Sequence, residues 1–196
     1  MNVFITGASS GIGLAMAKEF AKRGATLGLV ARNASKLDSA LPEIPAPREQ
    51  IHLFSVDVTD KEAMVRVAKE FEGLTGGADI VIANAGISHG VKTEYFEDLA
   101  MLEQIYKTNV FAMAYTFHPF IAPMKTRGRG QLVGIGSVAG IRGLPGSEAY
   151  CASKSAVITY CESLRVEMGK VGILVQTICP GFVKTELTAK NPYKTV

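Results

Sequence analysis

Residues Val3 to Gly13, VFITGASSGIG, decide how the rest of the chain is read. They carry two incompatible signatures. Gly7 to Gly11 fits G-x-S-x-G, the sharp turn that presents the nucleophile of a serine hydrolase. Extended to Gly13, the same residues form a glycine-rich bend between an apolar strand and a helix. In that setting backbone N–H groups converge on a phosphate.

The hydrolase reading meets two obstacles. Its oxyanion hole borrows an N–H from the loop of an earlier strand, and only Met1 to Thr6 precede Gly7 here. Its triad also needs an acid and then a histidine downstream. The histidines are His52, His89 and His118, and none follows the last two predicted strands. His52 falls in a predicted strand and His118 in a predicted helix, where packing is their expected role. His89 lies in a loop and is expected to be solvated. The cradle reading has no such gaps, and a reactive Ser9 remains its minor rival.

Working outward, short apolar runs alternate with helical patterns. The strands expected are 2–5, 26–31, 51–56, 79–84, 130–137 and 172–179. Helices are expected at about 11–23, 34–40, 60–71, 99–126 and 147–168. Near-continuous apolar strands separated by helices predict a parallel sheet covered on both faces. The right-handed crossover rule then points to an α/β fold, a Rossmann-type doubly wound parallel sheet in three αβα layers and a single domain. The loop 42–49 holds three prolines and reads as a surface connection.

Composition sets limits on function. The net charge of +3 and the lack of a basic block argue against a nucleic-acid partner. Cys151, Cys161 and Cys179 have no metal-type spacing and suit free thiols in a reducing, cytoplasmic setting. No apolar run reaches the length of a membrane span, and no leader pattern precedes the first strand. No metal site is expected.

The second strand speaks to the dinucleotide. Sites for NAD(H) carry an acidic residue about 20 positions past the glycines, where it binds the ribose hydroxyls. Here Ala31 and Arg32 stand 18 and 19 positions after Gly13. A guanidinium attracts the 2′-phosphate that a carboxylate would repel, so NADP(H) is favoured over NAD(H).

Tyr150 and Lys154 lie four apart in a predicted helix, on one face. A phenol titrates near about 10, and an adjacent ammonium is expected to draw it toward the working pH. Ser137 closes the fifth predicted strand, at the sheet end where ligands bind in such folds.

Together these motifs resemble the short-chain dehydrogenase/reductase family over essentially the whole chain. TGASSGIG (6–13) is similar to its cofactor loop, which implies contacts from Gly7, Ser9, Ser10, Gly11, Ile12 and Gly13. DVTD (57–60) implies adenine contacts by Asp57 and Val58, and ANAG (83–86) a cofactor border of Asn84, Ala85 and Gly86. PGFVKT (180–185) resembles the nicotinamide loop, implying Pro180, Gly181, Val183 and Thr185. The resemblance also implies a catalytic tetrad of Asn109, Ser137, Tyr150 and Lys154. In it Ser137 holds the substrate oxygen and Tyr150 transfers its proton. Lys154 binds the nicotinamide ribose, and Asn109 holds a water that links Lys154 to solvent. The implied activity is an NADP(H)-dependent interconversion of a carbonyl and a secondary alcohol in a homodimer or homotetramer. Met101, Ile105, Tyr106, Phe111, Met113, Val157, Ile158 and Leu164 stripe the two long helices. A catalytically idle dinucleotide sensor is the alternative.

Some departures from the family pattern stand out. Ala83 replaces a frequent asparagine, and Cys151 follows the tyrosine where serine or alanine is usual. The sequence stops at Val196, before the family's substrate-covering helices and seventh strand. A chain that continues past this point is favoured over a shortened protein, since a complete catalytic set needs an enclosed substrate. The loop after Gly86 and the segment after Thr185 are expected to set the substrate.

Overall fold

Strands that are apolar on both sides need cover on both sides, and the computed structural model, which describes residues 1–185, supplies it. Its strands are β1 (Asn2–Thr6), β2 (Thr26–Ala31), β3 (Ile51–Ser55), β4 (Ile80–Ala83), β5 (Gly130–Ile135) and β6 (Ile173–Ile178). They form one parallel sheet in the order β3-β2-β1-β4-β5-β6. The helices are α1 (Gly11–Lys22), α2 (Ala34–Ala40), α3 (Lys61–Thr75), α4 (Leu99–Tyr106), α5 (Ala112–Arg127) and α6 (Glu148–Gly169). The result is the doubly wound three-layer fold in one domain.

The period of two along β1 divides its side chains between two cores. Val3 and Ile5 join Leu27, Leu29 and Ile82, against which Ala17 and Ala21 of α1 and Leu37 of α2 pack. Phe4 points the other way, toward Met64 and Phe71 of α3, Phe117 and Phe120 of α5, and Val157 and Cys161 of α6. Its ring centroid lies 5.4 Å from that of Phe71 and 4.9 Å from that of Phe120. Gly28 is its cross-strand neighbour on β2. A Cβ at Gly28 would come within 2.7 Å of the Phe4 ring and 2.8 Å of the Phe71 ring, so the bare backbone makes room for both.

Local chemistry sets the helix ends. Asp60 caps α3 by accepting from the N–H of Ala63 at 2.9 Å. The helix runs on to Thr75, beyond the expected end at residue 71, and stops at Gly76, where φ reaches 74°. Asn33 caps α2 in the same way, accepting from Lys36.

The expected single helix over 99–126 is two helices. Between α4 and α5 the residues Lys107–Phe111 form a π-turn, a wider turn that inserts one residue and is common at functional sites. The expected strands at 79–84 and 130–137 also end early, at Ala83 and Ile135, because the residues beyond leave the sheet to build loops. Half of the long-helix stripe is internal: Ile105, Met113, Val157 and Leu164 are buried within this chain, while Phe111 is half exposed.

Phe4 has no solvent exposure and holds three aromatic neighbours together. Phe4→Ala is expected to cost about 3–5 kcal/mol, read as a lower urea midpoint with an unchanged slope.

Candidate active site

The chain leaves β1 through Thr6 and Gly7, and these residues are tied directly to the end of β4. The Thr6 hydroxyl accepts from the N–H groups of Asn84 at 3.1 Å and Ala85 at 3.2 Å, and donates to the Ile82 carbonyl at 3.4 Å. In return Asn84 Nδ2 donates to the carbonyls of Thr6 at 3.0 Å and Gly7 at 3.2 Å. Gly7 takes φ 66°, and a Cβ there would sit 2.8 Å from the Cα of Ala85. Gly13 is buried behind the bend. A Cβ on it would meet the Gly7 carbonyl oxygen at 2.2 Å, so it serves close packing of α1 rather than the cleft. Ser10 precedes α1 with extended backbone, and its side chain makes no cap bond to the first turn.

At the end of β5, Ser137 is buried. Its hydroxyl accepts from Ala139 N–H at 3.1 Å and lies near enough to the Tyr150 phenol to favour its ionised form. Tyr150 and Lys154 stand on one face of α6, with Lys154 Nζ 5.8 Å from the phenol ring centroid. Lys154 is only 5% exposed and donates to the Ile135 carbonyl at 2.8 Å. Burial disfavours its ammonium and pulls its pKa down to about 8.

The phenol departs from the sequence expectation. Burial pushes the Tyr150 pKa above its ordinary value, and the opposing effect of Ser137 does not reverse this. Lys154 Nζ is hydrogen-bonded to a main-chain carbonyl on β5 rather than to the phenol oxygen.

Asn109 sits in the π-turn and is 2% exposed. Its Oδ1 accepts from Ile87 N–H at 2.8 Å, while Nδ2 donates to the Ile87 carbonyl at 3.0 Å and to Ser153 Oγ at 2.9 Å. Both amide hydrogens are therefore committed to protein partners, and the side chain has no donor left for a water.

One cleft brings most of the sequence-derived residues together. It encloses about 910 Å³, open solvent included. The glycine bend from Gly7 to Ile12 lines it together with Asn84 to Gly86, Ser137, Tyr150, Lys154 and the 180–185 loop. Gly13, Arg32, Asp57, Val58 and Asn109 are not among its walls. Val58 is buried in the core beside α3. Arg32 and Asp57 lie further along the sheet, at the ends of β2 and β3, with Arg32 Nη1 3.7 Å from Asp57 Oδ2 and the guanidinium largely exposed. Burial raises the Asp57 carboxyl, but hydrogen bonds from Thr59 N–H at 2.9 Å and Oγ1 at 2.7 Å, with the nearby Arg32, hold it below its ordinary value.

Sequence reasoning missed Thr6, Ile135, Gly136 and Ser153. Thr6 could have been found as a hydroxyl at the end of a buried strand. Ile135 acts through its carbonyl, and Ser153 is a small residue inside a helix; neither leaves a pattern. The segment after Thr185, expected to help set the substrate, lies outside the described residues. Among those described, no helix is long and apolar enough to cross a membrane.

Comparison with known proteins speaks to the family and the fold. A family model described as short chain dehydrogenase matches residues 1–195. An uncharacterized oxidoreductase of Myxococcus xanthus is 38% identical over 189 residues, covering 96% of this chain and 74% of the relative. The crystal structure of levodione reductase superposes with a TM-score of 0.90 at 29% identity, covering 95% of this chain and 73% of that one. The structure of ElxO with NADP bound gives 0.87 at 30% identity, covering 96% of this chain and 76% of that one.

The buried ammonium of Lys154 has a stability cost with a defined pH range. Folding lowers its pKa from 10.5 to about 8, so the cost is full below about pH 8 and fades as pH rises toward 10.5. Lys154→Met should raise the melting temperature at pH 7 by at least about 2 °C, and by less at pH 9.5, in thermal melts at the two values.

Proposed function

This chain belongs to the short-chain dehydrogenase family of oxidoreductases, and we propose that it interconverts a small carbonyl compound and a secondary alcohol with NADP(H) as the hydride partner. One observation carries the reading: Ser137, Tyr150 and Lys154 share a single cleft with the glycine bend and the 180–185 loop.

The walls of that cleft suit a dinucleotide. The Ser10 side chain does not cap the first turn of α1, and main-chain N–H groups at a helix start suit a pyrophosphate. Gly181 leaves open space, since a Cβ there would meet nothing within 4 Å. Bound there, the nicotinamide would supply or accept the hydride. In this reading the Ser137 hydroxyl positions the substrate oxygen, and Tyr150 donates its proton to that oxygen or removes it. A phenol raised by burial stays protonated at neutral pH, which favours reduction there and oxidation at alkaline pH. Lys154 holds the ribose hydroxyls, and Asn109 supports the wall through Ile87.

The preference for NADP(H) rests on Arg32, whose exposed guanidinium at the end of β2 offers charge-assisted hydrogen bonds to a 2′-phosphate. Asp57 stands close enough to orient it. A homodimer or homotetramer and a cytoplasmic setting belong to the same proposal. Phe111, Tyr160 and Val166 are exposed apolar residues on or beside the long helices that would be available to a second copy. The free thiols Cys151, Cys161 and Cys179 suit a reducing compartment.

Loss of reduced-nicotinamide absorbance with a panel of ketones and aldehydes tests the reaction. Tyr150→Phe is expected to lower kcat by about a thousandfold or more while NADPH still binds. NADPH binding with no turnover of any carbonyl or alcohol by the unaltered protein would instead support an idle dinucleotide-binding protein. Arg32→Glu is expected to weaken NADPH binding by about tenfold or more and NADH binding by much less, in fluorescence titrations of each. Equal losses for the two would overturn the phosphate assignment.

A further inference from the structure

Ser153 lies on α6 between Tyr150 and Lys154 and has no solvent exposure. Its hydroxyl owns a single hydrogen. That hydrogen goes to the carbonyl of Tyr150 at 2.8 Å, a contact within one helical turn. Toward Asn109 the oxygen is therefore an acceptor only, and it takes one Nδ2 hydrogen at 2.9 Å.

The consequence is directional. An asparagine amide presents a donor end and an acceptor end of nearly the same shape. With a pure acceptor facing it from α6, Nδ2 must turn toward the helix and Oδ1 toward the loop after β4. Oδ1 then receives Ile87 N–H at 2.8 Å, and the second Nδ2 hydrogen reaches the Ile87 carbonyl at 3.0 Å. Four polar groups in series thus join the tyrosine's own helical turn to the loop. The wall residue Gly86 is held in the same seam, since a Cβ on it would lie 3.1 Å from Asn109 Oδ1.

We propose that Ser153 is a positioning residue: it sets the polarity of the Asn109 amide and thereby fixes the Gly86–Ile87 backbone against the Tyr150 turn of α6. Its catalytic consequence rests on the proposed reaction, because the distance between that loop and the phenol is the distance between cofactor wall and proton donor. Removing the hydroxyl leaves one buried Nδ2 hydrogen without an acceptor and cuts the amide's tie to α6, leaving it held by Ile87 alone.

Ser153→Ala, Asn109→Ala and the double variant test this in the full chain, each first checked for native far-ultraviolet circular dichroism. Ser153→Ala is expected to lower kcat by about tenfold while KM for NADPH stays within about twofold. The double variant should be no slower than Asn109→Ala alone by more than about twofold, because both changes break one series. Losses that multiply would overturn the proposal. Amide hydrogen exchange gives a readout independent of turnover. Ile87 N–H should exchange at least about tenfold faster in Ser153→Ala, with α1 amides unchanged. An unchanged Ile87 rate would overturn the proposal too. If the unaltered protein reduces no carbonyl, the reaction assignment fails, and the exchange measurement still decides the role of Ser153.

Discussion

The site depends on the place where β1 and β4 end side by side. There the chain departs toward opposite faces of the sheet: α1 packs on one core, and the helices after β4 pack on the other. A crevice opens wherever neighbouring parallel strands diverge in this way. Thr6 and Asn84 hold its two lips at hydrogen-bonding distance through side-chain to main-chain bonds in both directions. The glycines could not approach the opposite lip without these bonds, and Gly7 and Gly13 could not sustain them if either carried a Cβ. The cleft is thus a product of sheet order first and of side chains second.

The opposite wall shows how stability and chemistry pull apart. A buried ammonium hydrogen-bonded to a neutral carbonyl, with no carboxylate paired to it among the described residues, is an unfavourable object in a fold, and Lys154 is one. The surrounding structure tolerates it because α6 is anchored along its length by Ala149, Val157, Cys161, Leu164 and Met168. The phenol beside it is likewise disfavoured as an anion by burial. Groups held away from their solution pKa values, in a crevice with convergent donors, are a common signature of sites where protons move.

Much of this was legible in the residues. Strand runs that are apolar throughout announce a sheet covered on both faces, and VFITGASSGIG announces where its ligand end lies. Tyr150 and Lys154 could be placed on one face by helical spacing alone. What could not be read depends on three-dimensional placement. The phenol pKa turned on how deeply the fold buries the Tyr150 side chain, which spacing does not encode. The π-turn around Asn109 arises because one extra residue is accommodated between two regular helices, and the intrinsic helix preferences of Lys107 to Phe111 do not reveal it. Arg32 and Asp57 were found by separate arguments, and only the fold shows them as neighbours.

The sheet order also fixes a timetable for biosynthesis. β1 emerges first, yet it occupies the middle of the sheet and awaits Ile80 to Ile82 as its second neighbour. Pairings so distant along the chain close slowly. The glycine bend therefore spends the early part of translation without its opposite lip, and the ammonium and the 180–185 loop arrive later still. A ribosome-bound intermediate carrying only the first four strands would expose the apolar edge that β5 later covers. Such a species is a natural client for chaperones.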